Sequence, residues 1–82
     1  MTTRVAIISI VVEESGDVET LNRILHDYSS YIMGRMGIPY EKRKISLISV
    51  VMDAPADTIS AMTGKIGMLK GITSKALYAK LQ

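Results

Sequence analysis

Gly34-Arg35-Met36-Gly37 is the stretch whose residue types look least like packing material. Its two glycines let a backbone come close to a ligand or to a neighbouring chain. Arg35 between them offers a planar fork that suits a carboxylate or a phosphate. The plainer reading is a bent strand carrying an exposed arginine, and the residues alone allow both. A second stretch, Thr63-Gly64-Lys65-Ile66-Gly67, contains a Gly-Lys pair of the kind found in phosphate loops. The rest of that motif is missing. Position 59 is Ile where a glycine is required, and Ile66 stands where Ser or Thr would hold a magnesium ion, so nucleotide hydrolysis is set aside. A lysine late in a helix also has a structural use, because a cation there offsets the negative end of the helix dipole. A third feature is Gly16, free to take positive φ in the turn Glu14-Ser15-Gly16-Asp17-Val18. The candidate ligand-binding residues from the first two stretches are Gly34, Arg35, Met36, Gly37, Gly64 and Lys65.

Other chemistry-bearing residues are sparse. His26 is the single histidine, with Asn22 one helical turn before it, and both are expected on a solvated face. One imidazole and scattered carboxylates fall short of a metal site. Glu13 and Glu14 are adjacent, so along a strand their side chains diverge and make a poor acid–base pair. There is no Ser-His-Asp order and no nucleophile elbow. No catalytic residue and no metal ligand is assigned, the expectation is a protein that is not an enzyme, and no cofactor is identifiable.

The elements that must position these residues come from a short chain of 82 residues, expected to form one domain over positions 1–82. Hydrophobic residues make up 48%, ample for a core, yet Phe and Trp are absent and the aromatics are four Tyr. With no Cys there is neither a disulfide framework nor a thiolate site, which fits a cytoplasmic protein. The net charge of +2, spread over dispersed basic residues, lacks the basic stripe of a direct nucleic-acid binder.

Val5–Val12 is apolar throughout and follows Arg4, which resembles a signal peptide for a moment. Glu13-Glu14-Ser15 then follows without a small-residue cleavage site, and the run is too short to span a bilayer, so a strand is the better reading. Val18, Leu21, Ile24, Leu25, Tyr28 and Ile32 recur at helical spacing, with Asp17 or Ser15 as the cap. Ile32–Tyr40, with two Gly and Pro39, reads as an irregular edge strand. The charged turn Glu41-Lys42-Arg43 joins it to a second strongly apolar strand, Ile45–Met52. Asp53 is placed to cap a second helix with Pro55 in its first turn, and Pro55, Ile59, Met62, Ile66 and Leu69 form its stripe. Gly71 stops that helix, and Ile72–Leu81 is a last strand with Ile72, Ser74, Ala76 and Tyr78 on one side. Lys75 and Lys80 keep it polar enough for an edge.

The order is β-α-β-β-α-β, an α+β fold of the ferredoxin-like type: a four-stranded antiparallel sheet with two helices on one face. Val5–Val12 and Ile45–Met52 then fall in the middle of the sheet. Both carry apolar residues on alternate positions of both parities, so each needs cover on two sides. The helices cover one side. The other carries three or four large aliphatic residues per chain, each worth roughly 1.5–3 kcal/mol on burial, and such a face favours association. A homo-oligomer is expected. Base stacking on RNA is not, because these central strands carry no aromatic residue.

Several segments together carry a resemblance over nearly the whole length. They are Ile10-Val11-Val12-Glu13, Gly34-Arg35-Met36-Gly37-Ile38-Pro39-Tyr40, Val50-Val51-Met52-Asp53, and Asp57-Thr58-Ile59-Ser60-Ala61-Met62-Thr63-Gly64-Lys65-Ile66-Gly67. The chain resembles the iron-only hydrogenase system regulator family. That resemblance implies a fold close to ACT domains and to the effector domain of nickel-responsive regulators. It also implies dimers or tetramers, a small effector between subunits, and hydrogenase-system proteins as partners. Gly16 stands where ACT domains place the glycine before their first helix, so the resemblance adds it to the candidate ligand-binding residues, although the proline common before it is Ser15 here. The nickel regulators' site uses several His and a Cys, which this chain lacks. The resemblance also brings no DNA-reading segment.

Overall fold

A computed structural model describes residues 2–80. The strands are β1 (Arg4–Glu13), β2 (Ile32–Tyr40), β3 (Ile45–Ala54) and β4 (Ile72–Tyr78), and the helices are α1 (Val18–Asp27) and α2 (Ala56–Gly67). The sheet order is β2-β3-β1-β4, every pair antiparallel, with the two doubly apolar strands at its centre. This is the ferredoxin-like architecture. The Cα atoms span 41 × 21 × 17 Å, so the molecule is two layers thick, one sheet and one helical layer.

Strand alternation decides what lies inside. Ala6, Ile8, Ile10 and Val12 of β1 meet Val50, Met52 and Ala54 of β3 beneath Leu21 and Leu25 of α1 and Ile59, Met62 and Ile66 of α2. Each is nearly or wholly inaccessible to solvent. Within α2 the predicted stripe holds at buried Ile59, Met62 and Ile66, whereas half-buried Pro55 and Leu69 lie outside the helix, which ends at Gly67 rather than running on to Gly71. On α1, Leu21 and Leu25 are buried and Ile24 and Tyr28 pack at the margin, whereas Val18 is 49% exposed. Val18 is the first helical residue after the turn and lies beyond the part of the helix that covers the core.

Asp17 caps α1 as expected, its Oδ1 accepting from the Thr20 N–H at 3.1 Å. That bond to the ionised form, aided by Arg23, holds the Asp17 carboxyl below the usual carboxylate range. Helix α1 ends at Asp27, and a tight turn at Ser29–Tyr31 leads on to β2. The expected cap of α2 is different. Asp53 remains in β3, paired with Val5, because ladder bonding to β1 runs on to Ala54. Pro55 occupies the N-cap with extended geometry and no side-chain bond, and its carbonyl accepts from Thr58 and Ile59. The last strand ends at Tyr78, shorter than the expected Ile72–Leu81. Leu81 lies outside the described residues.

The two crossover loops meet at one end of the sheet. The Glu13 N–H donates to the Gly71 carbonyl at 2.8 Å and the Asp17 N–H to the Lys70 carbonyl at 3.1 Å. Gly71 has φ of 69°, and a Cβ there would lie 2.9 Å from the Gly16 Cα. A Cβ on Gly16 would in turn lie 2.8 Å from Val12 Cγ1 and 3.1 Å from the Gly71 carbonyl. Two glycines thus let two backbones touch.

Candidate functional site

The residues singled out from the sequence fall in three separate places. Gly16 belongs to the loop clasp with Gly71, where its lack of a side chain has a complete structural account. Gly64 and Lys65 lie on the exposed side of α2. The Lys65 ammonium donates to the Tyr28 hydroxyl at 3.0 Å and sits 5.2 Å from that ring's centroid, tying α2 to the end of α1. The hydroxyl raises the Lys65 pKa by stabilising the charged form. Thr63 turns its hydroxyl onto the Ile59 carbonyl at 2.8 Å, and its own carbonyl accepts from the Ser74 hydroxyl at 2.8 Å. The Thr-Gly-Lys segment is therefore engaged in joining α2 to α1 and β4.

The Gly34–Gly37 stretch lies on β2, an edge strand exposed at every residue after Ile32. A register shift between Ile32 and Gly34 leaves Met33 as the extra residue of a bulge. Alternation after it sends the stretch to two faces. Gly34 and Met36 pair with Val51 and Ser49 and belong to the face away from the helices. Arg35 and Gly37 pair with Val50 and Ile48 and belong to the helical side. Among the described residues, none of the four main grooves is lined by residues from all three places.

On the helical side, α1 and β2 leave a groove of about 420 Å³ between them. Its lining is Asn22, Leu25, His26, Ser29, Ile32 and Arg35. Asn22, His26 and Ser29 follow one another along α1 and its closing turn, and Arg35 faces them from the strand. The sequence pointed to Arg35, placed Asn22 and His26 on a solvated face, where both are indeed exposed, and did not single out Ser29. No local signal would have joined them, because Arg35 lies on β2 and the others on α1 and its closing turn, and only the fold brings them to one groove.

On the other side, the sheet is bare. Two apolar hollows divide it. Val5, Ile7, Val51, Leu77 and Ala79 line one, and Val11, Met36, Ile38 and Leu47 line the other. A polar band separates them, with Ser9 opposite Ser49 and Lys75 next in the same row. Met36 is 62% exposed and Leu77 69%. Leu77 and Ile38, on the edge strands, extend the apolar face beyond the two central strands that the alternation pattern had singled out.

Among the described residues, no group of three or more His, Cys, Asp or Glu side chains is placed to hold a metal ion, and no helix is long and apolar enough to cross a membrane.

Fold and surface together define a small ferredoxin-like protein with one covered and one uncovered sheet face. Residues 4–76 match the model of the TM1266-like iron-only hydrogenase system regulators, and the chain belongs to that family. It is similar to the uncharacterized protein TM1266 from Thermotoga maritima. Their sequences are 33% identical, and the match covers 95% of this chain and 99% of that one at a TM-score of 0.91. A more distant likeness, at 12% identity and TM-score 0.50, is to LarC2, the C-terminal domain of a cyclometallase involved in synthesis of the NPN cofactor of lactate racemase. That match covers 98% of this chain and 59% of LarC2, and it reflects the fold alone. No curated protein matches.

Proposed function

We propose that the chain is a cytoplasmic, non-enzymatic regulatory protein of the iron-only hydrogenase system. It works as a homo-oligomer joined through the bare sheet face, responds to a small effector, and acts on partner proteins of that system without reading DNA itself. The observation that carries this reading is the uncovered face itself. Central strands of ten residues and a width of four strands bound it at about 33 Å by about 19 Å, or at most roughly 600 Å² in plan. A standard interface takes roughly 800 Å² from each partner, so the face is of the right order for pairing with a second copy. Family membership supplies the system. Gly34 supports a second reading, an interaction module without an effector. A Cβ there would meet nothing within 4 Å inside the chain, which leaves room on the edge strand for a partner's backbone.

The test is molar mass in solution by light scattering. Wild type is expected at a multiple of 9.0 kDa. Val51→Asp, which places a charge on the bare face, is expected to return the mass to that of one chain while keeping the far-ultraviolet circular dichroism of the fold. A wild type that stays monomeric across the concentration range overturns the oligomer. Thermal-shift screening against small acids separates the two readings, because an interaction module without an effector gains no stability from any of them.

A further inference from the structure

We propose that the groove between α1 and β2 is an oxyanion site that binds a small molecule through a carboxylate or phosphate group, with Arg35 as its charged anchor. The lining has the composition such a site requires. Arg35 presents a fork of N–H donors, Asn22 an amide, Ser29 a hydroxyl and His26 a ring N–H, and no carboxylate lines the groove to repel an anion. Among the described residues the salt bridges are Arg23–Glu19 and Lys44–Glu14, so Arg35 is not committed to an acid of its own chain. Two further cations are engaged with aromatic residues: Lys65 is bound to Tyr28, and Arg4 lies 4.3 Å from the centroid of the Tyr78 ring. Leu25 and half-buried Ile32 add an apolar part to the lining, suited to the carbon skeleton of a small acid rather than to a bare ion.

The polar side chains sit on elements with fixed spacing. Asn22 and His26 are four residues apart on α1 and share a face, and Ser29 continues the row at the helix end. Arg35 comes from the helix-facing side of β2, two residues after the bulge at Met33. The bulge sets which face Arg35 takes. Were Met33 instead paired regularly with Val51, Gly34 would fall opposite Val50 and Arg35 opposite Ser49, on the bare face. The proposal deepens the regulatory reading by assigning the effector a chemical class and a place. It rests on that reading only for the word effector, since all the lining residues belong to one chain.

Titration of the ¹⁵N-labelled full chain with inorganic phosphate, and separately with acetate and succinate, tests it by NMR. The expected result is saturable shifts at the Ser29 and Arg35 amides and at the His26 ring. Binding should be roughly tenfold to a hundredfold weaker in Arg35→Gln, the loss expected when a hydrogen bond to a charged group is removed. Asn22→Ala is expected to weaken it less, and Lys42→Ala, outside the groove, to leave it unchanged. A response to phosphate alone makes the ligand a phosphoryl compound, and a response to the acids alone makes it a carboxylate. Absence of response to all three, a response centred on Lys42–Lys44, or unchanged affinity in Arg35→Gln overturns the site. The same titration on Val51→Asp keeps the two proposals apart. Binding that survives loss of the oligomer supports a groove built within one chain, and binding lost with the oligomer overturns it.

Discussion

An added methyl group sorts the glycines of this protein into two kinds. At Gly71 it would meet the Gly16 backbone at 2.9 Å from a left-handed conformation, so Gly71→Ala is expected to destabilise by about 1–3 kcal/mol, measured by denaturant unfolding. At Gly64 it would meet nothing within 4 Å on a helix. Gly64→Ala is therefore expected to stabilise by about 0.5–1 kcal/mol and to raise the Tm. The sequence marked both Gly16 and Gly64 as candidates for ligand contact, and the folded surroundings distinguish them: Val12, Glu13 and Gly71 would crowd a Cβ at the first, and nothing lies within 4 Å of one at the second. Asp17 was legible because a cap and the N–H it receives lie within one turn. Lys65 and Tyr28 were not, being 37 residues apart. Because the Asp17 carboxyl is held low, its stabilising effect is complete above the ordinary carboxylate range. It drains away as pH falls through its lowered value. The Tm gap between wild type and Asp17→Ala is expected to be full at neutral pH and to close in acid. A gap that widens in acid would contradict the assignment.

At the scale of elements, β3 carries two adjacent valines with opposite duties. Val50 is fully buried against the helices, and Val51 lies half-buried on the bare face beside Ile7. Val50→Asp is expected to abolish the cooperative thermal transition, since an unpaired charge would enter a dry core. Val51→Asp is expected to keep that transition. Alternation in the sequence shows that both sets of side chains need cover, and it places β3 in the centre of the sheet. It does not say which set the helices take. That choice depends on the register between β1 and β3 and on the hand of the crossovers, which are tertiary facts. The start of α2 shows the same limit. Asp53 has the right chemistry and spacing for a cap, but pairing with β1 holds it in the strand. A local preference yields to a ladder that continues for two more residues.

For the whole molecule, two layers leave one face of the sheet uncovered by the chain itself. If a second copy covers it, association stabilises the folded state by mass action, and the Tm of wild type rises with protein concentration while that of Val51→Asp does not. Calorimetry over a hundredfold concentration range checks this. The edge strand β2 bears on the same question through motion rather than area. It is held to the sheet on one side only, by β3, and beyond Ile32 it buries no side chain. Its amide hydrogens should exchange with solvent well before those of β1, which is bonded on both sides. Arg35, Met36 and the bulge thus ride on the part of the sheet that opens most readily. A molecule or a chain that settles there would slow that exchange, and the strand would report its own occupancy.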